Sequence, residues 1–250
     1  MEFSDQLIHL DKVSSTNELL LRDSDNMYPD GTALLARVQT AGRGRAGREW
    51  CSEPGGMYLS TVWTPKRVQG LALLGALCLL EMCHHEWALK IKIRWPNDLV
   101  LDGKKLGGVL PQVRFFGSKP VKAVMGIGLN VNQDLNSFNS ELVKDVTTLA
   151  SHLDEPLVVK EIARSFLGYW SRELELFDKI GCEQLCLRCQ ENLEGLDDGL
   201  VAQVFDEQCS SGGRVLGIVS GLGPTGELLF EGGQCLDRLG PTERLRFSPL

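Results

Sequence analysis

A stretch rich in glycine and arginine, AGRGRAGREW, occupies residues 41–50 and is called the arginine loop below; its arginines are Arg43, Arg45 and Arg48. Glycine lets backbone N–H groups approach an anion closely, and arginine makes paired hydrogen bonds to a phosphate or a carboxylate. Loops also carry functional residues more often than the elements they connect. The stretch therefore predicts a loop that closes over an anionic ligand. The alternative is a solvated basic loop without a ligand.

The glycines of the arginine loop have the spacing G-x-G-x-x-G, but the surrounding residues do not fit the nucleotide-binding motifs that share it. A dinucleotide-binding turn needs a helix that begins at the third glycine, and Gly47 is followed by REWCSEPGG, which does not continue as a helix. Lys66 and Arg67 stand where that motif has a ribose-binding acid. No Gly-Lys-Ser/Thr follows as in a P-loop, and Glu49 replaces the valine of a kinase glycine loop.

Two oxygen-bearing side chains, Asn97 and Asp98, follow Trp95 and Pro96 in the string RWPND. Proline interrupts a strand, and carboxylate and amide oxygens beside a phosphate site suit Mg²⁺. Asn-Asp is also a common turn dipeptide, so a purely structural turn is the alternative.

A lysine enters an apolar strand in the string KKLGGVL, residues 104–110. The two glycines after Leu106 leave room for a ligand, so Lys105 is placed to point inward. A surface lysine at a hairpin is an equal alternative. The string GIGLNVN, residues 126–132, repeats the arrangement, with small residues in a strand followed by the amide of Asn130.

The elements that position these strings alternate between helices and strands. Ser15 and Glu18 form a capping-box pair ahead of three leucines, which predicts a helix that begins near Thr16. Asp102 and Gly103 predict a tight hairpin turn. Apolar patterning predicts two further helices, at 71–89 and 160–179, and strands at 33–39, 58–63, 91–94, 99–101, 106–115 and 124–131.

The pattern changes after residue 190. Short strand-like segments at 200–205, 214–219 and 227–231 alternate with glycine-rich turns, which predicts a small all-β module with a barrel as its simplest form. We therefore expect two domains, a mixed α/β body at 1–189 and a β module at 190–250.

Composition limits the class of protein. A net charge of −7 and a pI near 5.2 disfavour a general binder of nucleic acid or of anionic membranes. The first residues, MEFSDQ, do not resemble a signal peptide, and the most apolar run, 71–80, is too short to span a bilayer. We expect a cytoplasmic protein in which the eight cysteines are reduced.

Three of these cysteines, Cys182, Cys186 and Cys189, have spacings that place them on one face of a helix. There we expect them to pack as small hydrophobic residues. Metal binding is the weaker alternative, because the spacing is not a common zinc pattern and no fourth Cys or His follows at a usual distance.

Five motifs now stand in a fixed order along the chain: STN at 15–17, QTAGRGRAGREW at 39–50, WPND at 95–98, KLGGVL at 105–110 and GIGLNVN at 126–132. Each motif is weak alone, but together they resemble the biotin–protein ligase family. The resemblance runs from residue 14 to residue 153 and continues more weakly through 217–230.

The resemblance implies an α+β fold, in which a mixed-sheet catalytic domain of the biotin/lipoate ligase type, similar to class II synthetases, precedes a small SH3-like β-barrel. It also implies an ATP-dependent ligase that activates biotin as biotinyl-5′-AMP. Biotin would then pass to a lysine of the biotin carboxyl carrier protein of acetyl-CoA carboxylase. Mg²⁺ is the implied cofactor, and a homodimer is an open alternative to a monomer.

The resemblance also assigns residues. Lys105 and Arg45 would be catalytic, and the register from Asp98 favours Lys105 over Lys104 for this role. The biotin site would comprise Ser15, Thr16, Asn17, Gln39, Arg43, Gly44, Arg45, Lys105 and Gly108. The ATP or adenylate site would comprise Arg43, Arg45, Arg48, Trp50, Asn97, Asp98, Lys105 and Asn130, with Asn97 and Asp98 as ligands of Mg²⁺.

Bifunctional members of the family carry an N-terminal winged helix-turn-helix that reads operator DNA, whereas 14 residues precede Ser15 here. We therefore expect no nucleic-acid partner and no repressor function. The nearest rival enzyme is a lipoate or octanoyl transferase, whose Arg-Arg-x-x-Gly-Gly-Gly motif is absent. A biotin-binding regulator without catalysis would be expected to lack Lys105 or the loop arginines, and all of these are present.

Overall fold

The computed structural model describes residues 3, 6–135, 145–196, 200–206, 214–240 and 243–249. The helices are α1 (Thr16–Arg22), α2 (Leu71–Trp87), α3 (Ala150–Leu153) and α4 (Val159–Gln190). The first sheet contains β1 (Leu7–Val13), β2 (Ala33–Gln39), β3 (Met57–Trp63), β4 (Lys92–Arg94), β5 (Asp98–Leu101), β6 (Lys104–Phe116) and β7 (Lys119–Leu129). The second sheet contains β8 (Leu200–Asp206), β9 (Arg214–Leu222), β10 (Leu228–Phe230), β11 (Cys235–Leu236) and β12 (Glu243–Pro249).

The first sheet has the strand order β1-β2-β3-β7-β6-β5-β4; β1 and β2 are parallel, and the other neighbours are antiparallel. Side chains alternate between the two faces of a sheet. Leu59 and Met125 join α2 and α4 in the main core on one face, whereas Val62 and Val124 pack with Leu20 of α1 on the other. This mixed sheet confirms the predicted α+β fold.

Local signals in the sequence placed two site-bearing elements correctly. Ser15 caps α1, and its hydroxyl accepts a hydrogen bond from Glu18 N at 3.4 Å. Asp102 and Gly103 both have positive φ, 50° and 74°, as the tight turn between β5 and β6 requires. The predicted helix start and the predicted hairpin are both confirmed.

Other elements were missed or given wrong bounds. Strands β1, β11 and β12 were not predicted: β1 and β11 have no clear apolar alternation, and in β12 the alternation is limited to Leu245 and Phe247. The predicted helix at 160–179 was too short: α4 continues to Gln190 across a break at Gly181, where φ is 79° and ψ is −174°. The apolar pattern alone did not show that the chain resumes a helix after this glycine.

A cluster of charged side chains joins both parts of α4 to α2. Glu173, which is 2% exposed, accepts hydrogen bonds from Arg188 Nη1 at 2.6 Å and from Arg172 Nε at 3.2 Å. Glu81 of α2 binds the same two arginines at 2.6 Å and 3.0 Å. Because Arg188 follows the break at Gly181, the cluster fixes the last part of α4 against the body.

Arg188→Ala is expected to lower the free energy of unfolding by about 3 kcal/mol, because it leaves the buried Glu173 carboxylate without its main partner. Urea denaturation followed by far-UV circular dichroism measures the change. Lys179→Ala, which breaks an exposed pair with Glu175 on the same helix, is the matched control and should change stability little. Equal effects of the two variants would contradict a stabilising role for the cluster.

The three cysteines of α4 pack toward α2. Cys186 and Cys189 are buried, and Cys182 Sγ lies 3.8 Å from Cys186 Sγ. Cys189 Sγ lies 3.8 Å from Leu73 O, and burial raises the pKa of Cys189 to about 12. Across the described residues, no three His, Cys, Asp or Glu side chains are grouped so that they could hold a metal ion.

The second sheet has the order β11-β10-β9-β8-β12 and is antiparallel throughout, which is consistent with an SH3-like module. It contacts the body where Trp95 Nε1 donates a hydrogen bond to Gly226 O at 2.8 Å. The proposed division between residues 189 and 190 falls at the end of α4 and stays a prediction. None of the described helices combines the length and the apolar character needed to cross a membrane.

Candidate active site

Five residues stand opposite one another on neighbouring strands of the first sheet. Arg94 pairs with Asp98, Asp98 with Gly108, Gly108 with Gly128, and Gly128 with Tyr58. Residues in register across antiparallel strands share a face of the sheet. The row therefore brings the strings RWPND, KKLGGVL and GIGLNVN together on one surface.

The two glycines of this row leave room for an indole ring. A Cβ added to Gly128 would lie 2.5 Å from Trp50 Cε2, and one added to Gly108 would lie 3.5 Å from Trp50 Cζ3. Trp50 Nε1 is buried and makes no hydrogen bond to a described residue. Trp50 thus packs on the surface formed by Gly108 and Gly128, called the glycine floor below; a side chain at Gly128 would collide with the indole, whereas a Cβ at Gly108 would be in ordinary contact with it.

Lys105 and Asp98 form an ion pair beside this indole. Lys105 Nζ lies 2.7 Å from Asp98 Oδ1 and 5.1 Å from the centre of the Trp50 ring. The Lys105 carbonyl also accepts a hydrogen bond from Thr147 N at 2.9 Å. The neighbouring Lys104 is exposed. The structure therefore places Lys105, and not Lys104, in the site.

The arginine loop is closed by its own backbone. Gly44 N donates to Arg48 O at 2.7 Å, and Trp50 N donates to Gly42 O at 3.0 Å. A Cβ on Gly42 would lie 2.4 Å from Ser52 Oγ, so a larger residue there would displace its neighbours. The glycines thus permit a compact loop in which the backbone hydrogen bonds lie within a few residues of Arg43, Arg45 and Arg48.

The three arginines of the loop have different surroundings. Arg43 is exposed. Arg45 is half-buried, and burial lowers its pKa although the nearby Asp98 opposes this effect. Arg48 Nη2 donates to Glu243 O of β12 at 2.9 Å. The loop therefore contacts the C-terminal module through Arg48 and presents Arg45 to the interior of the site.

A chain of uncharged polar side chains lies beside the glycine floor. Gln39 Oε1 accepts a hydrogen bond from Thr16 N at 2.8 Å, and Thr16 Oγ1 lies 2.6 Å from Ser60 Oγ. Ser60 Oγ donates to Asn17 Oδ1 at 2.7 Å, and Asn17 Nδ2 donates to Leu110 O at 3.0 Å. These contacts fix the orientation of several donors and acceptors that a polar, neutral ligand could use.

These groups line one cavity of about 650 Å³. Every site residue predicted from the sequence lies on its wall: Ser15, Thr16, Asn17, Gln39, Arg43, Gly44, Arg45, Arg48, Trp50, Asn97, Asp98, Lys105, Gly108 and Asn130. The roles assigned to these residues stay predictions. The structure brings cations, a carboxylate and neutral polar groups to the wall of one open cavity, which suits a ligand with both charged and uncharged parts.

Several residues of this wall were not predicted from the sequence. Ser60 is one of two adjacent hydroxyl residues, Ser60 and Thr61, in the largely apolar strand MYLSTVW, which was the available signal. Arg94 lines the cavity while its guanidinium binds Glu194, and β12 contributes the segment Glu243–Phe247. Arg94 begins the string RWPND and β12 has two alternating apolar residues, but neither pattern indicates a contact with the cavity. Glu194 has no local signal, because its contact joins distant parts of the chain.

Comparison with known proteins identifies the family. Residues 10–130 match the model of the biotin/lipoate A/B protein ligase family. The bifunctional ligase/repressor BirA of Bacillus subtilis is 34% identical over 170 residues, which cover 64% of this chain and 52% of that protein. The same-named protein of Escherichia coli is 30% identical over 224 residues, 88% of this chain and 67% of that protein. The chain thus spans about half the length of its Bacillus relative.

A solved structure extends the likeness over the whole chain. The biotin protein ligase from Aquifex aeolicus in complex with biotin and ATP superposes with a TM-score of 0.80 at 30% identity. The match covers 97% of this chain and 99% of that one, so it includes the second sheet. On these matches the chain belongs to the biotin/lipoate A/B protein ligase family, among its biotin–protein ligases.

Proposed function

We propose that this protein uses ATP to activate biotin as biotinyl-5′-AMP and then transfers biotin to a lysine of the biotin carboxyl carrier protein of acetyl-CoA carboxylase. The observation that carries the proposal is one cavity in which neutral polar side chains lie beside two cations, Lys105 and Arg45. The neutral part suits a ureido ring, and the cationic part suits a carboxylate and phosphates. The Aquifex aeolicus relative, a complex with biotin and ATP, supports the same assignment.

The neutral part of the cavity provides selectivity for biotin. A ureido ring has two N–H donors and one carbonyl acceptor, and Thr16, Asn17 and Ser60 offer hydroxyl and amide groups to match them. Polar site groups left without a partner penalise a ligand that lacks these atoms. We therefore expect lipoate and octanoate, which have no ureido group, to be poor substrates.

The cationic part of the cavity would serve the first chemical step. A biotin carboxylate oxygen attacks the α-phosphorus of ATP, the bond to the bridging oxygen breaks, and pyrophosphate leaves. Two anions must approach each other in this step, so fixed cations lower its barrier. Lys105 is held by Asp98, so this cation is positioned before the substrates react. The compact backbone of the arginine loop places Arg45, half-buried, on the same cavity wall.

The arginine loop would serve the second step. The uncharged amine of the acceptor lysine attacks the acyl carbon of the mixed anhydride, AMP leaves with the electrons of the broken acyl–oxygen bond, and the nitrogen releases one proton to water as the amide forms. Before the acceptor arrives, the anhydride must be protected from water. A loop that contacts both the glycine floor and β12 is placed to cover the intermediate.

Asn97 and Asp98 fit a magnesium ion that is held mainly by phosphate and water. Asn97 Nδ2 donates to Val109 O at 2.8 Å, which fixes the amide, and Asp98 supplies a carboxylate beside it. Mg²⁺ prefers one or two protein oxygens with the remaining ligands from phosphate and water. When bound, the ion would neutralise phosphate charge, while Asn97 and Asp98 would orient it.

The proposed function is tested by incubating the protein with biotin, ATP, Mg²⁺ and a biotin carboxyl carrier domain. We expect pyrophosphate release and the mass of one biotinyl group on the carrier lysine. A carrier with that lysine replaced by arginine is the control and should gain no mass. Consumption of ATP without carrier modification, or equal use of lipoate, would contradict the proposal.

Gly126→Ala is expected to weaken biotin binding about 10- to 100-fold, a loss of the size expected when a hydrogen-bonded site group is displaced. The added Cβ would lie 2.4 Å from Asn17 Oδ1 and would push this side chain out of the polar chain. Isothermal titration calorimetry with biotin measures the effect. Gly168→Ala in α4, where an added Cβ meets no atom within 4 Å, is the matched control. Unchanged affinity in Gly126→Ala would show that Asn17 does not contact biotin.

We further propose that the residues of this chain do not bind operator DNA, although two relatives are ligase/repressors. The support is the net charge of −7, because DNA binding at physiological salt depends on clustered cations that replace counterions. Gel retardation with biotin-operon operator DNA, in the presence of biotin and ATP, tests this. A sequence-selective shift would contradict it.

A further inference from the structure

Arg94 and Asp98 are direct partners across the pair β4–β5, on either side of the RWPND turn. Opposite charges at such positions attract each other, because the two Cβ atoms stand about 5 Å apart. The guanidinium nevertheless binds another acid. Arg94 Nε lies 2.5 Å from Glu194 Oε2, and Arg94 Nη2 lies 2.7 Å from Glu194 Oε1. A two-point contact of this kind is the strongest that an arginine makes with a carboxylate.

Asp98, released from Arg94 in this way, is available to Lys105. Its Oδ1 lies 2.7 Å from Lys105 Nζ. Burial disfavours the charge on Arg94, yet the hydrogen bond and charge of Glu194, together with the charges of Asp98 and Asp145, raise the pKa of Arg94. Arg94 therefore stays charged beside the site and attracts any carboxylate within its reach.

The backbone fixes Glu194 in front of Arg94. Ile93 N donates to Asn192 O at 2.7 Å, and Glu194 N donates to Ile93 O at 2.9 Å, so the segment after α4 runs along β4. Glu194 is 8% exposed. Arg94 Nη2 also donates to Gly103 O at 3.1 Å, in the turn that leads to Lys105. The Glu194 carboxylate is thus fixed in front of Arg94 by the backbone hydrogen bonds between the segment 192–194 and Ile93.

We propose that Glu194 is a positioning residue, which binds Arg94 and so keeps Asp98 paired with Lys105. The consequence of this role for catalysis rests on the proposed function. Without Glu194, two cations compete for one carboxylate. Asp98 would then bind Arg94 in preference to Lys105, because Arg94 already lies opposite Asp98 across the strand pair.

The catalytic consequence is tested with Glu194→Gln. The rate of biotinyl-AMP formation at saturating biotin and ATP should fall about 10- to 100-fold, as for a small misplacement of a catalytic group, while the KM for biotin stays near the wild-type value. Arg94→Gln added to Glu194→Gln should restore most of the rate, because the competing cation is gone and glutamine keeps a donor for Gly103 O. A merely structural ion pair predicts no such rescue.

A second readout does not need enzyme activity. The contact of Lys105 Nζ with Asp98 Oδ1 holds the amine against the cavity wall and limits its approach to an acylating reagent. Brief treatment with an acetyl N-hydroxysuccinimide ester, followed by peptide mass spectrometry, should therefore show severalfold faster acetylation of Lys105 in Glu194→Gln, with reversal in the double variant. The exposed neighbour Lys104 is the internal reference and should react at one rate throughout.

Glu173→Gln is the matched control, because Glu173 is another buried acid that binds an arginine, away from the site. It should lower stability without changing the acetylation of Lys105. Should Glu194→Gln unfold, Glu194→Asp makes the same test, because the shorter side chain cannot keep both contacts. Wild-type acetylation of Lys105 in Glu194→Gln, or no reversal in the double variant, would overturn the inference. An inactive wild-type protein would instead overturn the proposed function and leave the acetylation test valid.

Discussion

Lys105→Ala is expected to slow the formation of biotinyl-AMP about 100- to 1,000-fold, the usual effect of removing one fixed group that stabilises charge in a transition state. Lys105 Nζ is held 2.7 Å from Asp98 Oδ1 in the cavity wall. The rate is measured from pyrophosphate release in reactions that are quenched at successive times, with biotin and ATP saturating. The KM for biotin should change much less than the rate, because the uncharged polar side chains recognise the ureido ring.

Lys104→Ala is the matched control for this prediction, because Lys104 is the adjacent residue and is exposed. Its rate should stay within about twofold of the wild-type rate, as for most surface substitutions. Equal losses in Lys104→Ala and Lys105→Ala would show that neither lysine has a specific role. A larger loss in Lys104→Ala would show that the register of the lysine motif is wrong.

Arg45→Gly is expected to release biotinyl-AMP about 10- to 150-fold faster, which corresponds to one lost charge-assisted contact. The loss should appear mainly in the dissociation rate, while Lys105 still supports much of the activation. Free biotinyl-AMP acylates exposed lysines of unrelated proteins. Serum albumin added to a reaction without carrier should therefore be labelled more strongly by the variant than by the wild type.

Arg37→Ala is the control for the loop variant. Arg37 precedes the arginine loop and pairs with Asp11 on the surface, so its loss should leave albumin labelling unchanged. Labelling is compared after normalisation to the amount of adenylate formed. If Arg45→Gly forms the adenylate but labels albumin no more than the wild type, the arginine loop does not retain the intermediate.

Local chemistry explains why much of the site could be predicted from the sequence. Ser15 and Glu18 form a helix cap within four residues of chain, and Asp102-Gly103 forms a turn from two residues. Caps and turns of this kind are complete within a few residues, so tertiary packing does not change them. The glycines of KKLGGVL and GIGLNVN were expected to leave room for a ligand, whereas the structure places the Trp50 ring against Gly108 and Gly128.

Contacts between distant residues could not be predicted in this way. Arg94 and Glu194 are 100 positions apart, and nothing near either residue indicates the other. Strand β12 becomes part of the cavity wall only because β8 pairs with it. The last part of α4 is stabilised after Gly181 because Arg188 binds Glu173 and Glu81. Helix propensity, which depends on local sequence, does not include the free energy of these contacts.

The cavity is proposed to join biotin to the α-phosphate of ATP before any acceptor protein binds. Exchange of labelled pyrophosphate into ATP, measured without a carrier, tests it directly, since the exchange requires reversible formation of an acyl-adenylate. We expect exchange that depends on biotin, that lipoate and octanoate do not support, and that Lys105→Ala nearly abolishes. Exchange that is absent with biotin, or that lipoate supports equally well, would contradict the account.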